Sequence, residues 1–540
     1  MCRELWYNYR MLSDSRIVIF HWKNVSTQEQ TLTVPTGTRL VEAANQAGLD
    51  LRTHCGGAGT CGKCQVIVNG QKVLACQTVV ESDLDVLIPD ASLRNNEQDV
   101  VVQISSEHSV NPLCSPCFNL TTKDTENTQR TQREKGHRYG IAVDIGTTTL
   151  AAELHDFVHG VPAKWAACAN PQRKFGDDVI ARIQKVMENP LTLAAMQQLI
   201  VDAINGMIAE LAEKSSITLQ EISIIVVAGN TAMQSILFGI DPSPLGESPF
   251  LAPVSEFPQR RGSDIGLTMS PEGTVEALPI FGGFVGGDIV AGVLTLSALQ
   301  SSTAPRFLLD IGTNGEIVLA HRGKLFTAAT AAGPAFEGAK IEHGTLAVPG
   351  AIDRVELVSN KMAVSTIGNH PAVGICGSGL IDAVAVLLEQ GILLPSGRFA
   401  DKQSSVELVS ATESGTGNAI VLTQRDIREL QLASGAVRAG ITLLLQENAV
   451  LPEAIETFYV AGGFGQSIQL SSARRIGLLP PLPAERFEFC GNTSLAGARA
   501  MLLNPDNAEV ISRFIRQSHH CELATLPQFQ QIFAESIRLG

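Results

Sequence analysis

Basic residues are in deficit: 40 Lys and Arg face 54 Asp and Glu, a formal charge of -14 over 540 residues. A surface of that sign repels phosphate backbones, which excludes general nucleic-acid binding. There is no run of about eighteen or more apolar residues, and Met1–Arg10 (MCRELWYNYR) lacks the apolar stretch of a secretory signal. These absences predict a soluble, cytoplasmic chain with no membrane partner. Met11 would serve as an alternative start, because the first ten residues look unrelated to the strand that follows. Also missing is a Gly-x-Gly-x-x-Gly turn with a downstream acid, and nothing suggests a flavin domain, which argues against an oxidoreductase acting on NADH or a quinone. The 11 cysteines form no disulfide framework: four cluster within 22 residues and the rest scatter, which suits metal ligation in a reducing compartment.

What is present is globular. The hydrophobic share is 44%, with 48 Gly and 25 Pro spread along the chain, and the length predicts roughly two to four domains. The β-branched runs at 16–21 and 30–35 read as a hairpin, and Thr38 caps a short helix at 40–47 that Gly48 ends. Strands are expected at 65–68, 73–79 and 86–88, with Asn69-Gly70 closing a tight turn. From about Ser92 to His137 the chain turns polar and reads as a linker.

Between them lies Thr53–Gln77, THCGGAGTCGKCQVIVNGQKVLACQ, with the spacing Cys-x5-Cys-x2-Cys-x11-Cys. Thiolates at Cys55, Cys61, Cys64 and Cys76 can hold an iron-sulfur cluster, while Gly56, Gly57, Gly59 and Gly62 supply the small residues and positive φ angles of a loop wrapped around inorganic sulfide. Four thiolates can also bind zinc, although zinc sites favour two Cys-x2-Cys knuckles. Cys114-x2-Cys117 in the linker could be a dithiol or half a metal site, or have no role. The first three ligands resemble plant-type and adrenodoxin-type ferredoxins. The short last interval resembles the iron-sulfur subunit of succinate dehydrogenases, and the strand order fits a β-grasp.

A repeat organises the remainder. Tyr139–Leu154 (YGIAVDIGTTTLAAEL) and Pro305–Ala320 (PRFLLDIGTNGEIVLA) each place Asp-Ile-Gly-Thr between two apolar strands, 166 residues apart, which predicts a duplicated α/β unit. Asp144 and Asp310 end buried strands. The glycines Gly146 and Gly312 let amides approach phosphoryl oxygens, and Thr147, Thr148, Thr313 and Asn314 can hold phosphate. Two such hairpins, together with Ala461-Gly462-Gly463-Phe464-Gly465 as an adenosine turn, resemble the actin, Hsp70 and sugar-kinase superfamily of ribonuclease-H-like ATPases. Gly282–Asp288 and Gly491–Ala498 look like its two connecting helices. That resemblance implies ATP with Mg²⁺, the carboxylates Asp144 and Asp310 at the metal and the hydrolytic water, and Asp288 either orienting water or capping its helix.

A ferredoxin joined to this ATPase resembles the reductive activators of corrinoid proteins. Supporting segments are Asn170-Pro-Gln172, Gly176–Ile183, Val227–Met233, Gly374–Asp382 and Gln424–Ile427; Ser434 stands where that family would have a lysine. The expected domains are a [2Fe-2S] ferredoxin at 14–92, a linker at 93–137, a middle region with the first ATPase lobe at 138–300, and the second lobe at 301–540. The resemblance implies ATP-dependent reduction of a Co(II) corrinoid protein, or corrinoid-dependent methyltransferase, to Co(I), with a low-potential donor upstream and a homodimer left open. Competing expectations are activation of another low-potential metalloenzyme, a ferredoxin-type oxidoreductase, and a nucleotide-gated scaffold carrying a redox sensor.

Overall fold

The computed structural model describes residues 15–24, 26–49, 51, 64–89, 138–159, 164–300, 303–401, 403–463 and 467–540. Cys55, Cys61, Cys114, Cys117, Phe464, Gly465, the cluster-loop glycines and the expected linker lie outside them. Described residues group into two compact units, one drawn from Met1–Glu97 with Gln172–Lys185 and the other from Gln98–Pro171 with Val186–Gly540.

In the first unit, β1 (Ser15–Asn24), β2 (Ser26–Pro35), β3 (Gln65–Val68), β4 (Gln71–Leu74) and β5 (Leu84–Ile88) form a sheet ordered β2-β1-β5-β3-β4. Strands β1 and β5 run parallel, as a β-grasp requires, and the helix Leu40–Gln46 buries Leu40, Ala43 and Ala44. The β3–β4 hairpin turns at Asn69 (φ 50°) and Gly70 (φ 82°), the left-handed pair expected of Asn-Gly. One strand is shorter than expected: β4 stops at Leu74 rather than running to Val79. The amides of Gln77 and Thr78 both donate to the Leu74 carbonyl, so the chain turns there and buries Cys76. In the separate segment of this unit, Arg182 is fully buried and donates to the Gly176 carbonyl at 2.9 Å.

The second unit holds two six-stranded sheets. One is ordered β10-β11-β9-β6-β7-β8, from β6 (Tyr139–Ile145), β7 (Thr149–Asp156), β8 (Lys164–Ala169), β9 (Ile222–Gly229), β10 (Arg260–Arg261) and β11 (Thr274–Ala277). The other contains β12 (Arg306–Ile311), β13 (Gly315–His321) and β14 (Lys324–Thr330). Its later strands follow an inserted region carrying β15 (Ala351–Val358), β16 (Lys361–Thr366), β17 (Gly374–Ile375), β18 (Ser405–Val409) and β19 (Ile420–Thr423). With β20 (Thr457–Ala461), β21 (Phe487–Gly491) and β22 (Ser518–His520) the order is β21-β20-β12-β13-β14-β22. In each sheet an antiparallel three-strand meander is extended on its first strand by two parallel strands: β6 pairs β9 and then β11, and β12 pairs β20 and then β21. The Asp-Ile-Gly-Thr repeat thus marks a duplicated ribonuclease-H-like lobe.

Long helices occupy matching places after the meanders. Leu191–Ser215 buries Met196, Ile200, Ile204, Ile208 and Leu211 at helical spacing, and exposes Gln198, Asp202, Glu210, Glu213 and Lys214. It is the one described helix long and apolar enough, by length and composition alone, to cross a membrane. Gln424–Glu447 starts with a capping box in which Thr423 and Asp426 satisfy each other's amides. The Gln424–Ile427 segment is therefore a helix start. Ser434 is 3% exposed and donates to the Leu430 carbonyl of its own helix at 2.8 Å, so it faces packed protein.

Helices Gly287–Thr295 and Thr493–Leu503 cross in close contact. A Cβ on Gly497 would lie 2.3 Å from the Ala291 Cα, and one on Gly292 would lie 3.2 Å from the Thr493 hydroxyl. Small residues here let two helix backbones approach.

Candidate functional site

Strand β6 carries Asp144 to the sheet edge, where Ile145 pairs with Leu150 and the chain reverses through Gly146, Thr147 and Thr148. A Cβ on Gly146 would come within 2.4 Å of the Thr149 carbonyl oxygen, so this reversal requires glycine. Two asparagines brace the loop. Asn170 donates its side-chain amide to the Gly146 carbonyl at 2.8 Å and its backbone amide to the Thr148 carbonyl at 2.8 Å. Asn230 caps the helix Thr231–Leu237 through Oδ1 and donates Nδ2 to the Thr147 hydroxyl at 3.0 Å.

The second hairpin is built alike. Asp310 sits at the end of β12, opposite Glu316 on β13 and Ala461 on β20, and the Gly312 amide donates to the Asn314 carbonyl at 2.9 Å. Gly462 (φ 94°) follows β20; a Cβ there would meet the Ile311 carbonyl at 2.5 Å and Asp310 Oδ1 at 2.8 Å. Its missing side chain thus makes room for Asp310. By contrast Gly463 has nothing within 4 Å of where a Cβ would be, leaving open space beside the turn.

The two lobes are tied together at the acids. Asn492, at the cap of the helix Thr493–Leu503, accepts from the Leu495 amide and donates Nδ2 to Asp144 Oδ2 at 2.8 Å. Ser494 donates its hydroxyl to Asp144 Oδ1 at 2.6 Å. Glu337, at the end of the turn Pro334–Glu337, accepts from Thr148 at 2.7 Å and from Thr313 at 2.9 Å, joining one hairpin to the other.

Asp144, Asp288, Asp310 and Glu316 form one acidic cluster. Burial raises the Asp144 carboxyl above its ordinary range, against the pull of Ser494 and Asn492. Burial, reinforced by the charge on Asp144, pushes Asp310 up to about 7. Asp288 and Glu316 are raised well above the ordinary range, again chiefly by burial and then by the neighbouring acids. Asp288 lies in the first helical turn, with Oδ1 accepting from the Ile289 amide at 2.8 Å. Such a cluster calls for a cation. Among the described residues, no three His, Cys, Asp or Glu side chains converge to cage a bare ion. Carboxylate oxygens are the donor type that suits a hard cation such as Mg²⁺.

The sign of the Asp310 shift fixes a pH dependence. An aspartate whose folded-state pKa is raised from 3.8 to about 7 contributes stability that is present below the lower value and lost as pH rises through the upper one. Without nucleotide or Mg²⁺, the thermal midpoint of the protein is expected to fall relative to Asp310→Asn by about 2 °C or more between about pH 5 and about pH 8. Parallel pH profiles for the two proteins would contradict the assignment.

Of the expected cluster ligands, Cys64 and Cys76 are described. Each is 1% exposed in the ferredoxin core, and the Ala75 amide donates to the Cys64 carbonyl at 3.0 Å, so one hairpin returns the fourth cysteine beside the third. Gln77 Nε2 donates to Cys76 Sγ at 3.8 Å.

In the sequence Asn170 and Asn230 stood out only within segments shared with the family, Asn492 and Ser494 only within a connecting helix, Glu316 only within the repeat, and Glu337 not at all. Asn492 was findable, because Gly-Asn-Thr-Ser before a small-residue helix is a capping pattern. Glu337 had no such signal, since its role depends on two loops distant in sequence.

Three family models account for most of the chain: the 2Fe-2S iron-sulfur cluster binding domain over residues 23–84, the RACo middle region over 139–301, and the C-terminal ASKHA domain of RACo over 304–540. The chain is 30% identical to the corrinoid activation enzyme RamQ of Eubacterium limosum, over 95% of its own length and 98% of the relative's. It is 29% identical, over 46% of its length and 48% of the relative's, to the [Co(II) methylated amine-specific corrinoid protein] reductase of Methanosarcina barkeri. A solved structure of a reductive activator for a corrinoid, iron-sulfur protein superposes with a TM-score of 0.69 at 32% identity, covering 97% of this chain and 98% of that one. A [2Fe-2S] ferredoxin module followed by the RACo middle region and ASKHA domain, matched end to end, places the chain in the family of reductive activators of corrinoid proteins.

Proposed function

We propose that this protein returns an inactive Co(II) corrinoid protein to Co(I), passing one electron from its [2Fe-2S] cluster to cobalt while ATP between the two lobes supplies the driving force. The observation that carries this reading is the pairing of Asp144 on one lobe with Asn492 and Ser494 on the other, beside a second acid hairpin, in a chain related over its whole length to corrinoid activators. The activities of those relatives support the same client chemistry.

Each residue then has a task. Cys55, Cys61, Cys64 and Cys76 hold the cluster, which supplies the one-electron chemistry. Thr147, Thr148, Thr313, Asn314 and the backbones of Gly146 and Gly312 hold phosphate; Gly463 leaves space for the nucleoside beside Gly462. Asp144 and Asp310 bind Mg²⁺ and position water, and Asp288 orients water from its helix start. A reducing compartment, the cytoplasm, suits both the thiolates and a Co(I) product.

The driving force is needed because plant-type ferredoxin clusters sit near about -400 mV, and each 100 mV uphill costs one electron about 2.3 kcal/mol. ATP can offset that only by favouring one of two states in which cobalt is differently reducible, and lobe closure provides such a pair of states. A different low-potential metalloenzyme client remains the second reading, because the same cluster and cleft would serve it. The two are separated by offering the reduced protein a Co(II) corrinoid protein and ATP: Co(I) formation is expected, and its absence favours the other client.

A further inference from the structure

Two of the hydroxyls assigned to phosphate are already committed. Thr148 on the first hairpin and Thr313 on the second both donate to the carboxylate of Glu337, at 2.7 and 2.9 Å. A threonine hydroxyl carries one proton, so donation to Glu337 precludes donation to a phosphoryl oxygen. Glu337 is held firmly from behind. Phe336 beside it is 1% exposed, and Gly338 takes φ 75° where a Cβ would lie 2.5 Å from the Thr345 carbonyl oxygen.

Glu337 thus offers the two hairpins what a terminal phosphate would offer them: two anionic oxygens, one for each threonine. We propose that Glu337 is an anionic placeholder, which holds the two phosphate hairpins together without nucleotide and which the terminal phosphate of a nucleoside triphosphate displaces. The inference rests on the reading of this cleft as a nucleotide site. Displacement gives up two charge-assisted hydrogen bonds and brings like charges together, so the wild-type residue weakens nucleotide binding. A purely structural clamp would act in the opposite sense, since its loss would let the hairpins separate. A water-activating base would alter turnover while leaving affinity unchanged.

The test is calorimetric titration of the full-length, cluster-loaded protein with Mg²⁺-ATP, for wild type, Glu337→Gln and Glu337→Ala. Binding by Glu337→Ala is expected to tighten about tenfold, the equivalent of one charge-assisted hydrogen bond. Glu337→Gln, which keeps an acceptor but loses the charge, is expected to tighten less. If the alanine protein has no cooperative melting transition, the glutamine protein decides alone. Unchanged or weaker binding in the folded variants overturns the placeholder while leaving the nucleotide site standing. Absence of binding by wild type overturns both.

Discussion

Cys76→Ala is expected to abolish electron delivery to cobalt outright, because the variant should lose the [2Fe-2S] cluster while keeping its fold and its nucleotide site. Cys76 is 1% exposed and lies one residue beyond Ala75, whose amide is bonded to the Cys64 carbonyl, so no solvent ligand can take its place without opening the ferredoxin core. With three thiolates left, one iron lacks its full protein coordination. Purified anaerobically, the wild type should contain about two irons and two acid-labile sulfides per chain, with cluster charge-transfer absorption; the variant should lack both the stoichiometry and the absorption. ATP binding should be unaltered. Retention of a full cluster would mean that another cysteine, such as Cys114 or Cys117, is the fourth ligand. Zinc in place of iron in the wild type would contradict the electron-transfer reading altogether.

Asp144→Ala is the complementary change, expected to spare the cluster and remove ATP dependence. The carboxylate accepts from Asn492 and Ser494 across the lobes and raises the pKa of Asp310 within the acidic cluster. Its loss leaves two donors without their acceptor and removes a charge that a phosphate-bound Mg²⁺ would use. Loss of one preorganised electrostatic contact typically costs a hundredfold or more in rate. ATP-dependent Co(I) formation should fall by at least about a hundredfold, with the visible spectrum of the cluster unchanged. Undiminished ATP-dependent activity would remove Asp144 from the site.

Much of this architecture was legible in the sequence, for reasons that differ from element to element. The helix expected at 40–47 and the strand expected at 65–68 appear at Leu40–Gln46 and Gln65–Val68, because a capped apolar pattern and an Asn-Gly turn admit few alternatives. The Asp-Ile-Gly-Thr repeat revealed the duplication because the same hairpin geometry demands the same residues twice. The end of β4 was misplaced: β-branched Val79 and Val80 look like strand, but the turn bonds to the Leu74 carbonyl prevail. Glycine was the least legible residue. Of the two glycines expected in the adenosine turn, a Cβ on Gly462 would meet Ile311 and Asp310, and one on Gly463 would meet open space. Ser434, which stands where the family would have a lysine, is buried and bonded to its own helix. Contacts between lobes, such as those of Asn492, Ser494 and Glu337, depend on tertiary juxtaposition that no local pattern encodes.

The claim that ATP drives an uphill electron to cobalt is tested most directly by redox poise. The wild-type protein and a Co(II) corrinoid protein are equilibrated with a reductant too weak to generate Co(I) alone, and the Co(I) fraction is followed spectroscopically as Mg²⁺-ATP is added. The account predicts that Co(I) accumulates only when the cluster-loaded protein and ATP are both present. Equal Co(I) with and without ATP would contradict it.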